Sequence, residues 1–139
     1  MKNVRGYNFS RPFMGERAPQ HVQNIVIKDF CSKNKLNFLL SATEYSMKNS
    51  SYILNELIND LDNLYGIVAY SIFQLPENEK KRKAMLQTII KKKKKIFFAC
   101  ENLKVTNKSE MIKIETIWRI RKSTDNFNYD KLLKLIKRK

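Results

Sequence analysis

The sequence predicts an α/β domain with a four-stranded, mainly parallel sheet in a doubly wound, flavodoxin-like arrangement and helices on both faces. Three observations carry that prediction. Short apolar runs alternate with longer segments of helical period, in the order β-α-β-α-β-α-β-α. The runs at 65–71 and 96–100 are almost continuously apolar, the pattern of strands covered on both faces. The 139 residues suffice for one core and are too few for two comfortable ones. The expected domain is therefore 1–139, with its core at 4–103 and a C-terminal helical extension at 108–139. Right-handed crossovers and short connections then favour the strand order 2-1-3-4.

Each element has a local reason. Residues 4–10 read as the first strand. From Pro19 to Lys33, Val22, Ile25, Val26 and Phe30 recur at helical spacing, and Pro19 suits a first turn. Leu36 to Leu40 is the second strand, ending in the polar segment Ser41 to Tyr45. A helix follows over 50–63, with Ile53, Leu54, Leu57, Ile58 and Leu61 on one stripe and Ser50 or Ser51 as its cap. After the strand at 65–71, Pro76 and Glu77 open a third helix carrying Met85, Leu86, Ile89 and Ile90. It ends in Lys91 to Lys95, before the strand at 96–100. Ser109 caps a helix bearing Met111, Ile114, Ile117 and Trp118, and 129–139 repeats the period weakly.

Composition narrows the function. The formal net charge is +15, unevenly placed: residues 1–76 hold 8 basic and 6 acidic side chains, residues 77–139 hold 20 and 7. Of the basic residues 21 are Lys and 7 are Arg, so the residue that reads bases and phosphates with a bidentate fork is not enriched. The lysine run reads first as a solvated helix end, because cations favour the last carbonyls, with a nucleic-acid patch as the alternative. No apolar run reaches the roughly 18 residues a membrane span needs. Lys2 and Arg5 have no hydrophobic stretch behind them, so no signal peptide is expected and the chain reads as cytoplasmic. Cys31 and Cys100 are read as two buried, reduced core thiols.

In a parallel sheet the strands deliver their C-terminal ends to one rim, and ligands of open α/β sheets bind there. That rim gathers Ser10, Arg11, Glu16, Arg17, Gln20 and His21 from the first loop. The second supplies Ser41, Thr43, Glu44 and Tyr45, the third Tyr70, Ser71 and Gln74, the fourth Glu101. Arg11 and Arg17 are the candidate anion clamps, since a planar guanidinium matches phosphate or carboxylate oxygens. Ser10, His21 and Glu44 are the candidate catalytic groups. A hydroxyl needs an adjacent base to act as nucleophile, and an imidazole or carboxylate can supply one. The remaining residues are candidate ligand contacts. No spacing supports a metal site, and the cofactor is left open.

The runs Ser10 to Arg17, Pro19 to Asn24, Leu40 to Tyr45 and Gly66 to Ser71 resemble the sporadic carbohydrate cluster proteins, found in bacterial gene clusters for surface carbohydrate and lipopolysaccharide. That resemblance implies a pathway and not a reaction. The order of elements is also similar to the catalytic domain of serine recombinases, the resolvases and invertases, whose first strand ends in Tyr-x-Arg-x-Ser. Here Tyr7-Asn8-Phe9-Ser10-Arg11 stands in that place, with Ser10 one position before the nucleophile. The expected function is therefore binding or modification of an anionic sugar derivative, a sugar phosphate or nucleotide sugar, at the rim. The alternative is a resolvase-like DNA-binding or regulatory module without strand cleavage. A further expectation is an oligomer or accessory-subunit contact through the C-terminal helices, around Trp118 and Ile120.

Overall fold

A computed structural model describes residues 1–15 and 17–125. The candidate Glu16 and the helical segment expected at 129–139 lie outside the described residues. The elements are β1 (Asn3–Phe9), α1 (Gln20–Lys33), β2 (Asn37–Glu44), α2 (Tyr52–Asn59), β3 (Gly66–Ala69), α3 (Glu79–Lys91), β4 (Lys95–Phe98), β5 (Leu103–Val105) and α4 (Lys108–Asp125). They form one sheet in the order β2-β1-β3-β4-β5. The pairs among the first four strands are parallel and β5 runs antiparallel to β4. The expected order 2-1-3-4 is extended by this fifth strand. Leu103-Lys104-Val105 is too short to declare itself by period.

The sheet splits the core in two. Val4, Val68 and Phe97 meet Ile27, Phe30 and Cys31 of α1 on one face. Tyr7, Phe9, Ile67, Ile96 and Phe98 meet α2, α3 and α4 on the other. Successive strand residues point to opposite faces, so neighbours in sequence serve different cores. Leu54, Leu61, Ile67, Ile72, Leu86, Ile89 and Ile114 are fully enclosed, each contributing about 1.5–3 kcal/mol by leaving water.

Several local expectations are corrected. On α1 the buried face is Gln23, Ile27, Phe30 and Cys31, while Val22 and Ile25 are exposed. β2 runs on through Ser41 and Thr43, which lie in the strand and not in a loop. Its register to β1 shifts at Arg5/Gly6, where Leu40 is the extra residue. Leu40 is 80% exposed there, and its carbonyl accepts from the Arg5 guanidinium at 2.6 Å. A bulge of this kind blunts an edge strand that would otherwise offer a free ladder. No side chain can grow at Gly6, because a Cβ would collide with Ser41 Oγ.

The serine cap expected for α2 is replaced by a carboxylate from another strand. Ser51 makes no capping hydrogen bond, and Glu44 takes over that role. Asn78 caps α3, accepting from the Lys81 N–H, and Asn107 accepts from the Glu110 N–H at the start of α4. Cys31 is buried, and burial pushes its thiol up to about 11. Cys100 is exposed in the turn after β4, contrary to the expected core position. Trp118 is buried, donating from Nε1 to the Ile72 carbonyl at 3.0 Å, so its own domain already covers it. Ile120 is exposed. Among the described residues no helix is long and apolar enough to cross a membrane.

Candidate functional site

The loops after β1, β2 and β3 enclose a cleft of about 860 Å³ at the C-terminal rim of the sheet. Phe9, Phe13 and Phe73 give it an apolar wall. Lys48, Lys81 and Lys122 bring positive charge, and Glu77 is its one carboxylate among the described residues. The size is that of a small-molecule site, and the mixture of ring surface with a few cations is the usual lining of one.

Two of the sequence-predicted residues, Arg11 and Gln74, line the cleft. Arg11 is committed to the protein itself. Its two terminal nitrogens donate to the Tyr45 and Ser50 carbonyls at 2.8 and 2.9 Å, and its guanidinium lies 4.0 Å above the Phe9 ring. It therefore pins the β2–α2 loop to β1. Met14 and Gly15, both at positive φ, turn the first loop along the cleft. Arg17, Gln20 and His21 are exposed and none of them lines it.

Glu44 is almost completely buried, and its two oxygens accept five hydrogen bonds. Oε1 takes the Tyr7 phenol and the Leu54 N–H, and Oε2 takes the N–H groups of Tyr45 and Ile53 and the Ser50 hydroxyl. Burial pushes the carboxyl up, but the bonds from Ile53, Tyr7, Leu54 and Ser50 outweigh it and hold the group below the ordinary carboxylate range. Such a group is an anionic helix cap with no lone pair left for a substrate proton. The Tyr7 phenol is pushed far up by burial and by the adjacent Glu44 charge.

The other predicted residues form separate small networks. Ser10 is exposed, and its hydroxyl donates to the Glu44 backbone carbonyl at 3.4 Å; among the described residues it forms no hydrogen bond to a carboxylate or imidazole. Thr43 donates to Asn8, whose amide in turn donates to Asn24 of α1. Ser41 is half-buried beside Gly6. The Tyr45 and Tyr52 rings meet at a tilt of 34°, and Tyr70 meets the edge of Phe13. Ser71 donates to Glu101 at 2.7 Å, and Glu101 also accepts from the Ile72 N–H. Among the described residues no group of His, Cys, Asp and Glu comes together as a metal would need.

Sequence reasoning missed Lys81 and Lys122, which reach the cleft from the first turn of α3 and the far end of α4. It also missed Gln23. This fully buried amide accepts from the Phe9 N–H and from Gln74 Nε2, and donates to the Phe9 and Ala18 carbonyls. It acts as a surrogate strand where β1 leaves the sheet. An amide among apolar helix positions gives no signal of that role.

No family model matches the chain, and no curated protein does. Solved structures do match. The N-terminal catalytic domain of TP901-1 integrase aligns over 90% of this chain and 99% of its own, with a TM-score of 0.62 at 12% identity. A resolvase family site-specific recombinase from Streptococcus pneumoniae aligns over 97% of each chain, with a TM-score of 0.61 at 11% identity. The fold of this chain is thus that of the serine recombinase catalytic domains, and at such identities the likeness is one of fold.

Proposed function

We propose that this chain is a recombinase-fold module that binds nucleic acid without cutting it. One observation carries the binding half, a surplus of fifteen positive charges. Among the described residues only Lys33 and Lys83 of all the lysines are in ion pairs. Such a surplus on a soluble surface attracts polyanions. The non-cleaving half rests on the site. With Tyr7 as the tyrosine of Tyr-x-Arg-x-Ser, Phe9 and Arg11 stand where that motif has its arginine and serine. Among the described residues the neighbouring Ser10 hydroxyl bonds the Glu44 backbone carbonyl and no base, and Phe73 to Glu77 contains no arginine. A cytoplasmic setting accords with two free thiols.

The test is a salt-titrated binding assay on duplex DNA, run beside a plasmid-nicking assay. Affinity should fall steeply between about 50 and 200 mM salt, as released counterions dictate, with the plasmid left intact. No affinity at the lower salt overturns the binding half, and nicked plasmid overturns the other.

A second reading has its own support in the rim cleft. Three lysines and three phenylalanines around about 860 Å³ suit an anionic sugar derivative such as a sugar phosphate or nucleotide sugar. It accords with the resemblance to the sporadic carbohydrate cluster proteins. Thermal-shift screening against those compounds tests it, because a ligand of the folded state raises the melting temperature. Loss of the shift in a Lys48→Gln, Lys81→Gln, Lys122→Gln variant would place the ligand there.

A further inference from the structure

We infer that the edge of the sheet opposite the cleft, where Lys2, Lys35 and the run Lys91 to Lys95 converge, is the surface that contacts the phosphate backbone of a nucleic acid. The inference rests on the nucleic-acid reading above and says where on the molecule the contact is made.

Topology does the gathering. With β1 to β4 parallel, every one of those strands starts, and α1 and α3 end, at the same edge. Lys2 enters β1, Lys33 and Lys35 leave α1, and Lys91 to Lys95 join α3 to β4. The Tyr65 ring shows how closely the cations crowd, with Lys2 Nζ at 5.3 Å and Lys95 Nζ at 5.5 Å from its centre. The acidic groups of these segments offset them only in part. Asp29 is taken by Lys33, and Asp60 accepts from Asn63. Asp62 lies in the turn before β3, and Glu110, at the start of α4, accepts from Thr106. Lys2, Lys35 and Lys91 to Lys95 form no ion pair among the described residues.

Helix-end stabilisation does not account for these lysines. The last carbonyls of both helices are already met by backbone donors in the six-to-one and five-to-two pattern. Lys94 and Lys93 N–H reach Ile89 and Ile90, while Leu36 and Lys35 N–H reach Cys31 and Ser32. Among the described residues only the Lys92 ammonium of these lysines meets a carbonyl, that of Ile58. Lys35 and Lys93 moreover stand at φ of 55° and 59°, the left-handed position that favours glycine. Their backbone conformation is better served by another residue, and what the side chain brings is charge.

Lysine is a point charge without the fork that reads bases, so the surface suits phosphates irrespective of sequence. An anionic membrane is the competing partner. Apart from Met1 and Ile112 of α4, none of the large exposed hydrophobic side chains belongs to these segments, which leaves little to insert between lipids.

The experiment uses the full chain, a duplex of about 20 base pairs, and two triple variants. Lys91→Gln, Lys93→Gln, Lys94→Gln changes this edge, and Lys48→Gln, Lys81→Gln, Lys122→Gln changes the cleft. Both are checked for an unchanged far-ultraviolet spectrum. The edge variant should lose more than about tenfold in affinity near 0.1 M salt and about 2–3 from its salt slope, the counterions of three phosphate contacts. The cleft variant should bind as the parent does. Affinity that survives the edge changes, or vanishes with the cleft changes alone, overturns the location while leaving nucleic-acid binding intact. A parent chain that binds no duplex removes the earlier reading itself. Tighter binding to phosphatidylserine vesicles than to the duplex, lost in the edge variant, assigns the surface to a membrane and overturns the nucleic acid.

Discussion

The Tyr7 phenol donates to Glu44 Oε1 at 2.8 Å, tying β1 to the carboxylate that caps α2. Replacing that carboxylate removes an anion from the helix N-terminus and leaves buried donors facing a poorer acceptor. Glu44→Gln should cost about 1–3 kcal/mol, and Glu44→Ala more, through unsatisfied buried N–H and O–H groups.

The same contact predicts a pH dependence. The folded carboxyl of Glu44 is held below its ordinary value, so its stabilisation is complete above the unfolded carboxylate value near 4.3. It is lost as the pH falls through the depressed folded value, because the native state must then take up a proton it resists. Urea midpoints from neutral pH into the acid range should fall for the parent chain. They should fall less over that window in Glu44→Gln, which has nothing to protonate there. Equal slopes for the two proteins would contradict the assignment.

Arg82 and Glu115 join α3 to α4 within the core. Nε and the second terminal nitrogen of the arginine reach the two carboxylate oxygens at 2.7 and 2.8 Å. The remaining nitrogen caps the Pro76 and Glu77 carbonyls, and the guanidinium lies 4.4 Å from the Trp118 ring. Removing either partner leaves a buried charge alone, so Arg82→Ala and Glu115→Ala should each lose about 3–5 kcal/mol. Arg82→Lys should fail to restore it, since an ammonium cannot span both oxygens and both carbonyls. Denaturant unfolding of the three variants provides the measurement.

The order of the first four strands was legible, because periodicity marks them and short right-handed crossovers arrange them, whereas the three-residue β5 was not. Val4, Ile67, Val68, Ile96 and Phe98 announce strands whichever face they serve, and parallel strands share a rim by necessity. Side-chain direction was not legible. Arg17 in the first loop and His21 in the first turn of α1 stay outside the cleft, while Lys122 reaches it from a distant helix. Glu44 was expected as a catalytic group, but its oxygens face α2 and are saturated. Polar residues that satisfy backbone groups look, in a sequence, like polar residues waiting for a substrate.

Gln23 is the clearest case of that ambiguity. Gln23→Leu keeps the volume but strands the Phe9 N–H and the Gln74 amide, along with two carbonyls. A loss of about 3 kcal/mol or more is expected, since each buried group left unpaired costs about 1–3 kcal/mol. Hydrogen exchange should localise the damage, with the Phe9 amide losing protection relative to those at the centre of β1. A variant as stable as the parent would mean that the surrogate-strand role is unimportant.

Lys35 and Lys93 allow the charge and the backbone at one edge to be separated. Both occupy the left-handed turn after a helix, where a Cβ is strained and glycine is not. Lys35→Gly and Lys93→Gly should therefore each raise stability, by about 0.5–1 kcal/mol, although each removes a side chain from the surface. Lys91→Gly, one position inside α3, should lower it by a similar amount, because there the backbone is helical and glycine only adds freedom to the unfolded chain. Thermal melts of the three variants decide between this account and one in which lysine itself stabilises the helix ends. In the latter case all three substitutions would lower the melting temperature together.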